Sequence, residues 1–254
     1  MGVHQVITGV AALRREPRAD GPLDTQLLFG ETFVVDEARR GWLHGRAEMD
    51  GYEGWVADTD LTPDVSPASH RVRALRTYVY SRPDLKSEPV HLISMNARVE
   101  AGERDGNYLQ VQGGGWVHQR HLAALNAFEP DFVAVAERFA GTPYLWGGRD
   151  SRGLDCSGLV QTAFAAAGMP VPRDSGDQET FFAERWDRVD PASRKQRGDL
   201  VFWPGHVGIM VDETGLLHAN AGYMETMVEP IDDAVARIMP GEGPVRTLVR
   251  RTLP

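Results

Sequence analysis

Cysteine is all but absent from this chain, whose 254 residues hold one, Cys156. A single thiol excludes an internal disulfide and fits a reducing compartment. Lysine is nearly as scarce: Lys86 and Lys195 stand among 27 basic residues, a bias from which no functional reading follows. Long apolar runs are missing too, and none approaches the ~20 residues needed to cross a bilayer. The N-terminus, Met-Gly-Val-His-Gln-Val-Ile-Thr-Gly-Val, lacks a basic leader, and its apolar stretch is broken by His4, Gln5 and Thr8. It does not read as a signal peptide, so the expected location is cytoplasmic. Excess positive charge is also lacking: a net charge of -9 and a pI near 5.4 argue against nucleic acid or an anionic membrane as the main partner. What remains is the composition of a soluble globular protein, 42% hydrophobic and 25% charged. Its length suits one large or two to three small domains.

Residues 1 to about 125 read as β-rich, with short alternating stretches such as Glu31-Thr32-Phe33-Val34-Val35 and Tyr108-Leu109-Gln110-Val111 between Gly, Pro and Asp turns. A weak internal repeat runs through them. Gly41-Trp42-Leu43, then Gly54-Trp55-Val56 and Leu61, match Asn107-Tyr108-Leu109, then Gly115-Trp116-Val117 and Leu122. The repeat predicts two copies of one small module, with Pro63 to Ser69 as the linker. Trp42, Trp55 and Trp116 are expected in the barrel cores. From Phe128 the period changes. Phe132, Val133, Val135, Ala136 and Phe139 form an apolar stripe, with Pro130 suited to a first helical position and Gly141 and Pro143 as the stop. Leu159, Val160, Ala163, Phe164 and Ala167 form a second stripe, ended by Gly168 and Pro170. Strand candidates follow at Asp199 to Trp203, His206 to Val211 and Leu216 to Asn220. Helices followed by antiparallel strands indicate an α+β domain.

Cys156 thus stands where a loop rich in Gly and aromatics turns into a helix. Unpaired N–H groups and the helix dipole there favour an anion, so its thiol pKa is expected to fall. Taken alone, a buried thiol can equally be an inert core residue. A nucleophilic thiolate needs a base, usually a histidine made adjacent by the fold. From Phe128 onward the chain offers two, His206 and His218. If Glu213-Thr214-Gly215 forms a three-residue hairpin loop, His218 falls opposite Met210. Both imidazoles then share one face but lie roughly 13 Å apart, so a bulge or strong twist has to close the gap.

The residues also match a family. Tyr-Leu-Trp-Gly-Gly, then Leu154-Asp155-Cys156-Ser157-Gly158-Leu159-Val160, Gly198-Asp199-Leu200-Val201-Phe202, His206-Val207-Gly208-Ile209 and His218-Ala219 closely resemble the NlpC-type bacterial cysteine peptidases. The first half resembles paired bacterial SH3 modules. The fold so implied is multidomain: two small all-β SH3-like barrels (residues 1–65 and 66–125) before an α+β papain-like catalytic domain (126–254). The resemblance implies Cys156 as nucleophile, His206 as base and His218 as the residue orienting it, with the Cys156 N–H in the oxyanion hole. SH3 modules ahead of this domain look like the subgroup that cuts γ-D-glutamyl–diamino acid bonds (meso-diaminopimelate or lysine) in cell-wall peptides with a free N-terminal L-alanine. In that subgroup Asp174 and Ser175, in the loop 172–178, with Glu31 and Tyr52, would bind the alanine end. Tyr144 and Asp155 would contact the D-glutamyl unit, and Ser157 is a further substrate-binding residue. Tyr144 and Trp146 are open to a second reading as core aromatics. The resemblance implies no cofactor and no metal, and a small muropeptide, L-Ala-γ-D-Glu-diamino acid, as partner. The expected role is murein peptide recycling in the cytoplasm. The alternatives are an exported hydrolase of intact wall and an SH3-type wall-binding protein without activity.

Overall fold

The computed structural model describes residues 1–251, in two compact units: Met1–Phe128 with Arg149–Ser151, and Glu129–Gly148 with the chain from Arg152 on. The chain is mostly β with few helices. No helix among the described residues is long and apolar enough to cross a membrane.

In the first unit, a seven-stranded antiparallel sheet runs in the order Leu23–Leu28, Val10–Arg14, Glu53–Ala57, Trp42–Ala47, Thr32–Arg39, Gly2–Val6 and Leu61–Thr62. A five-stranded and a three-stranded sheet follow between His70 and Ala124. Each half closes over its own apolar cluster, and the repeat can be followed residue by residue. Leu13, Leu27 and Phe33 in the first core recur as Val79, Ile93 and Val99 in the second, each 66 residues on. Val56 and Leu61 recur as Val117 and Leu122, only 61 residues on. Five residues have therefore gone from the hairpin between these points. Gly30 (φ 77°) has its counterpart in Asn96 (φ 70°), both in the left-handed region that suits Gly and Asn. A Cβ on Gly30 would lie 1.8 Å from Arg98 O, so glycine is required there.

Two features differ from the sequence reading. The tryptophans are not core residues: Trp42, Trp55 and Trp116 are half-buried, and the valines after the last two (Val56 and Val117, 0% exposed) fill the cores instead. Strand alternation explains it, since adjacent residues face opposite sides. Nor is the linker a seam between independent halves. Gln5 exchanges hydrogen bonds with the Ser66 backbone, and Leu28 and Phe29 pack into the second core.

The second unit begins with α1 (Phe132–Glu137), whose N-cap is Asp131, accepting from Val133 N and Ala134 N, so Pro130 lies one residue before the cap and not at the first helical position. Next come α2 (Cys156–Ala166) and α3 (Ser175–Ala183). The strands are β1 (Asp187–Val189), β2 (Leu200–Trp203), β3 (His206–Met210), β4 (Gly215–Asn220), β5 (Glu225–Pro230) and, after α4 (Ile231–Glu242), β6 (Thr247–Arg250). Their order in the sheet is β1-β6-β2-β3-β4-β5. Helix α2 lies against β3 and β4, while Ile231, Ala234 and Ile238 of α4 pack on Val201, Trp203, Met210, Leu216 and Leu248. With both faces covered, β2 reads as an unbroken apolar run and not as an alternation. Phe132 stacks on Phe164 at 4.2 Å, joining α1 to α2.

Candidate active site

The turn that carries Cys156 is held by one carboxylate. Asp155 is the N-cap of α2: Oδ1 accepts from Gly158 N at 2.7 Å, and Oδ2 from Gly147 N at 2.8 Å. Arg173, 3% exposed, forks onto both oxygens at 2.9 and 2.6 Å and also reaches Ser157 Oγ at 2.9 Å. Ser157 Oγ in turn donates to Asp155 Oδ1 at 3.3 Å. Taking either charge out of such a buried pair leaves the other stranded, at about 3–5 kcal/mol. A Cβ on Gly158 would meet Gly148 O at 2.1 Å, so the loop carbonyl rests directly on the first helical turn. Each of Asp155, Ser157 and Gly158 thus holds the thiol in place.

Cys156 Sγ lies 3.9 Å from Gly205 O and is faced by the Val207 N–H, so it rests against the backbone on both sides of His206. The expectation of a lowered thiol pKa is corrected here. Burial pushes the thiol up to about 12, and the Asp155 charge adds to the rise; the Val207 N–H and Arg173 oppose it without overcoming it. Burial also takes His206 and His218 down to about 3, with the Arg237 guanidinium acting in the same direction on both. At neutral pH all three groups are therefore neutral. The alkylation rate of Cys156 by iodoacetamide is expected to keep climbing between pH 7 and 9, because the thiolate fraction grows up to a pKa near 12. A plateau below pH 7 would mean that a preformed thiolate–imidazolium pair exists.

The two histidines meet through a different register from the expected one. Met210 pairs with Leu216 and Ile209 with Leu217, because the tight loop is Asp212 to Thr214, with Asp212 Oδ1 accepting from Thr214 N and Gly215 N. Continuing that ladder puts His218 beside Gly208, two residues from His206 instead of four. The gap shrinks to about 7 Å of strand, which the side chains span. His206 Nε2 and His218 Nδ1 lie 2.8 Å apart, and no bulge is needed.

Beyond His218 comes a residue that the sequence reading missed. Glu229 Oε1 is 2.7 Å from His218 Nε2, accepts from Asn220 Nδ2 at 3.2 Å and is ion-paired with Arg237. Glu229 stands opposite Leu216, one diagonal from His218 on the same sheet face. The strand escapes notice because its buried positions include Thr226 and Glu229, so no apolar alternation marks it. Helix α4 could have been read from Ile231, Ala234 and Ile238 at helical spacing after Asp232 and Asp233.

The remaining expected residues fall in several places. Tyr144 is half-buried; burial, with the neighbouring Cys156 and Asp155 charges, raises its phenol well above the usual range, so it is a hydroxyl donor at neutral pH. Trp146 is 67% exposed and is no core aromatic. The loop 172–178 ends at Asp174, the exposed N-cap residue of α3, and Ser175 opens the helix. Gln178 donates to Ser157 O and Pro172 O, both at 2.9 Å, tying α3 to the cysteine turn. Glu31 and Tyr52 belong to the first unit. Glu31 is 3% exposed, accepts from Leu28 N and holds Arg149 through both oxygens at 3.1 Å, so its charge is already matched. Tyr52 packs half-buried against the first core.

Residues 141–237 match the NlpC/P60 family, and residues 13–61 match the bacterial dipeptidyl-peptidase Sh3 domain. Among curated proteins, the chain is 28% identical to dipeptidyl-peptidase 6 of Lysinibacillus sphaericus, over 90% of this chain and 91% of that one. It is 25% identical to the gamma-D-glutamyl-L-lysine dipeptidyl-peptidase of Bacillus subtilis, over 79% and 73%. Among solved structures, an NlpC/P60 family protein from Bacillus cereus matches with a TM-score of 0.80 at 20% identity, over the full length of both chains, a likeness of fold. With a cysteine at the head of a buried helix and a histidine pair against it, the chain carries an NlpC/P60 domain behind a bacterial SH3 domain and is a cysteine peptidase of that family.

Proposed function

We propose that this enzyme cuts the γ-D-glutamyl–diamino acid bond of cell-wall peptides whose N-terminal L-alanine is free, releasing L-Ala-γ-D-Glu during murein recycling in the cytoplasm. Cys156 attacks the γ-carbonyl and passes its proton to His206, which His218 orients. Water then hydrolyses the thioester. The Cys156 N–H supports the developing oxyanion, since the cap at Asp155 takes the Gly158 N–H and leaves the first N–H of α2 to the substrate. The layout is papain-like, and the two repeats of the first unit are two SH3-like barrels.

The observation that carries this reading is the tethering of α3 to the nucleophile's turn. Arg173 binds Asp155 and Ser157, and Gln178 binds Ser157 O, which supports a role at the cysteine turn for the intervening Asp174 and Ser175. Asp174 then faces the alanine ammonium, the Tyr144 hydroxyl donates to the D-glutamyl unit, and Asp155 and Ser157 border it. An ammonium taken out of water without a carboxylate costs several kcal/mol, which makes the contact selective. The reading is supported by the two dipeptidyl-peptidase relatives.

The test is substrate choice. L-Ala-γ-D-Glu-diamino acid is expected to be cut, whereas its N-acetylated form and intact peptidoglycan, which lack the ammonium, are poor substrates. Asp174→Asn should raise KM for the free peptide about tenfold and narrow its advantage over the acetylated one. Equal cleavage of free and acetylated peptides by the wild type would sink the ammonium site and favour a hydrolase of intact wall.

A further inference from the structure

The hydrogen-bond chain through the histidines runs one residue further than nucleophile, base and orienting group require. We propose that Glu229, held by Arg237 and Asn220, is a positioning residue that sets the tautomers of His218 and His206 and carries the countercharge for the imidazolium formed in catalysis. This rests on His206 being the base.

The direction of every proton follows from the far end. A carboxylate is an acceptor only, so the 2.7 Å contact requires the hydrogen on His218 Nε2. A neutral His218 then has a bare Nδ1, which accepts from His206 Nε2–H at 2.8 Å. A neutral His206 is thereby left with its lone pair on Nδ1, the remaining ring nitrogen and the one able to take the thiol proton. Were Glu229 apolar, the amide N–H of Asn220, whose Nδ2 lies 3.3 Å from His218 Nε2, would favour the opposite arrangement, with His206 Nδ1–H facing sulfur and no base present. A wrong tautomer of this kind is among the costliest lesions a catalytic histidine can suffer.

The surroundings of Glu229 fit a fixed acceptor. Asn220 Oδ1 takes the Gly222 N–H at 2.7 Å, which turns its Nδ2 toward Glu229. Arg237 pairs with the carboxylate and lies 5.2 Å over the Tyr223 ring. His218 is fully buried and Glu229 6% exposed, so water does not replace these partners. Arg237 also balances the carboxylate, which keeps it from drawing a second proton onto His218. The converse matters during turnover. As His206 takes the thiol proton, Glu229 offsets the guanidinium that would otherwise oppose the new charge.

The experiment compares wild type, Glu229→Gln, Glu229→Leu, Glu229→Gln with Arg237→Gln, and His206→Ala, with active enzyme counted by alkylation of Cys156 where that thiol still reacts. Kinetics on the free peptide are paired with nitrogen NMR of the imidazoles, which needs no substrate. Gln keeps an acceptor and loses the charge, so kcat should fall about tenfold with KM within about twofold. Leu removes both, so kcat should fall about 100-fold and part of the His206 population should carry its proton on Nδ1. Removing the Arg237 charge from the Gln variant should recover several-fold in kcat. A residue with only a packing role would lower Tm while leaving kcat per folded molecule and the imidazole protons unchanged, and that result overturns the proposal. If the variants do not fold, the wild-type spectrum decides, because a hydrogen on His206 Nδ1 in the resting enzyme contradicts it. Wild-type activity in His206→Ala would overturn the assigned base itself, a different failure from an inert Glu229.

Discussion

Cys156→Ala is expected to abolish turnover, with a loss of at least about 10⁴-fold, while the fold and substrate binding survive. The side chain is 7% exposed and changes by one atom, and alanine is the best helix former, so α2 should keep its first turn. The caps that hold that turn come from Asp155 and Arg173 and not from the thiol. Circular dichroism and calorimetric binding of the free peptide should therefore match the wild type while product formation disappears. Residual cleavage at the wild-type rate would remove the nucleophile assignment and every step built on it.

The second large effect is expected at His206. With the thiol pushed up to about 12, only about one molecule in 10⁵ is ionised at pH 7 once the base is gone. His206→Ala should accordingly lose about 10³–10⁵-fold in kcat. Its residual rate should rise about tenfold per pH unit, because hydroxide then does the work of the imidazole. His218→Ala should cost less, about 10–100-fold, since His206 Nε2 can donate to water or to another acceptor and still present Nδ1 to sulfur. A larger loss at His218 than at His206, measured on active enzyme at pH 7, would reverse their roles.

What was legible in the sequence follows from how local each signal is. The cysteine helix, its Gly168 stop and the strand that opens at His206 are marked by side-chain periodicity and turn residues a few positions apart, and these elements lie where expected. The register between the histidines depended on a single turn, and placing its loop one residue late moved His218 by two positions along the ladder. The tryptophans were misjudged because size suggests burial, whereas strand parity decides which of two neighbours faces inward. The thiol pKa was expected to fall on the helix dipole alone. It rises because ten of the eleven residues of α2 are buried, an environment that no local pattern reveals. Glu229 was missed for the related reason that a buried carboxylate looks like a solvent-facing one until its partners are known.

The burial of α2 on all sides has one more consequence. Amides in such a helix, clamped at its start by Asp155 and Arg173 and packed against β3 and β4, have no local opening by which to exchange hydrogen with solvent. The helix releases its protons only when the whole unit comes apart, so the slowest-exchanging amides of this unit should be those just after Cys156. Loss of activity on heating should then follow the same curve as global unfolding, with no active-site loosening ahead of it. For this enzyme, residual turnover becomes a direct gauge of the folded fraction.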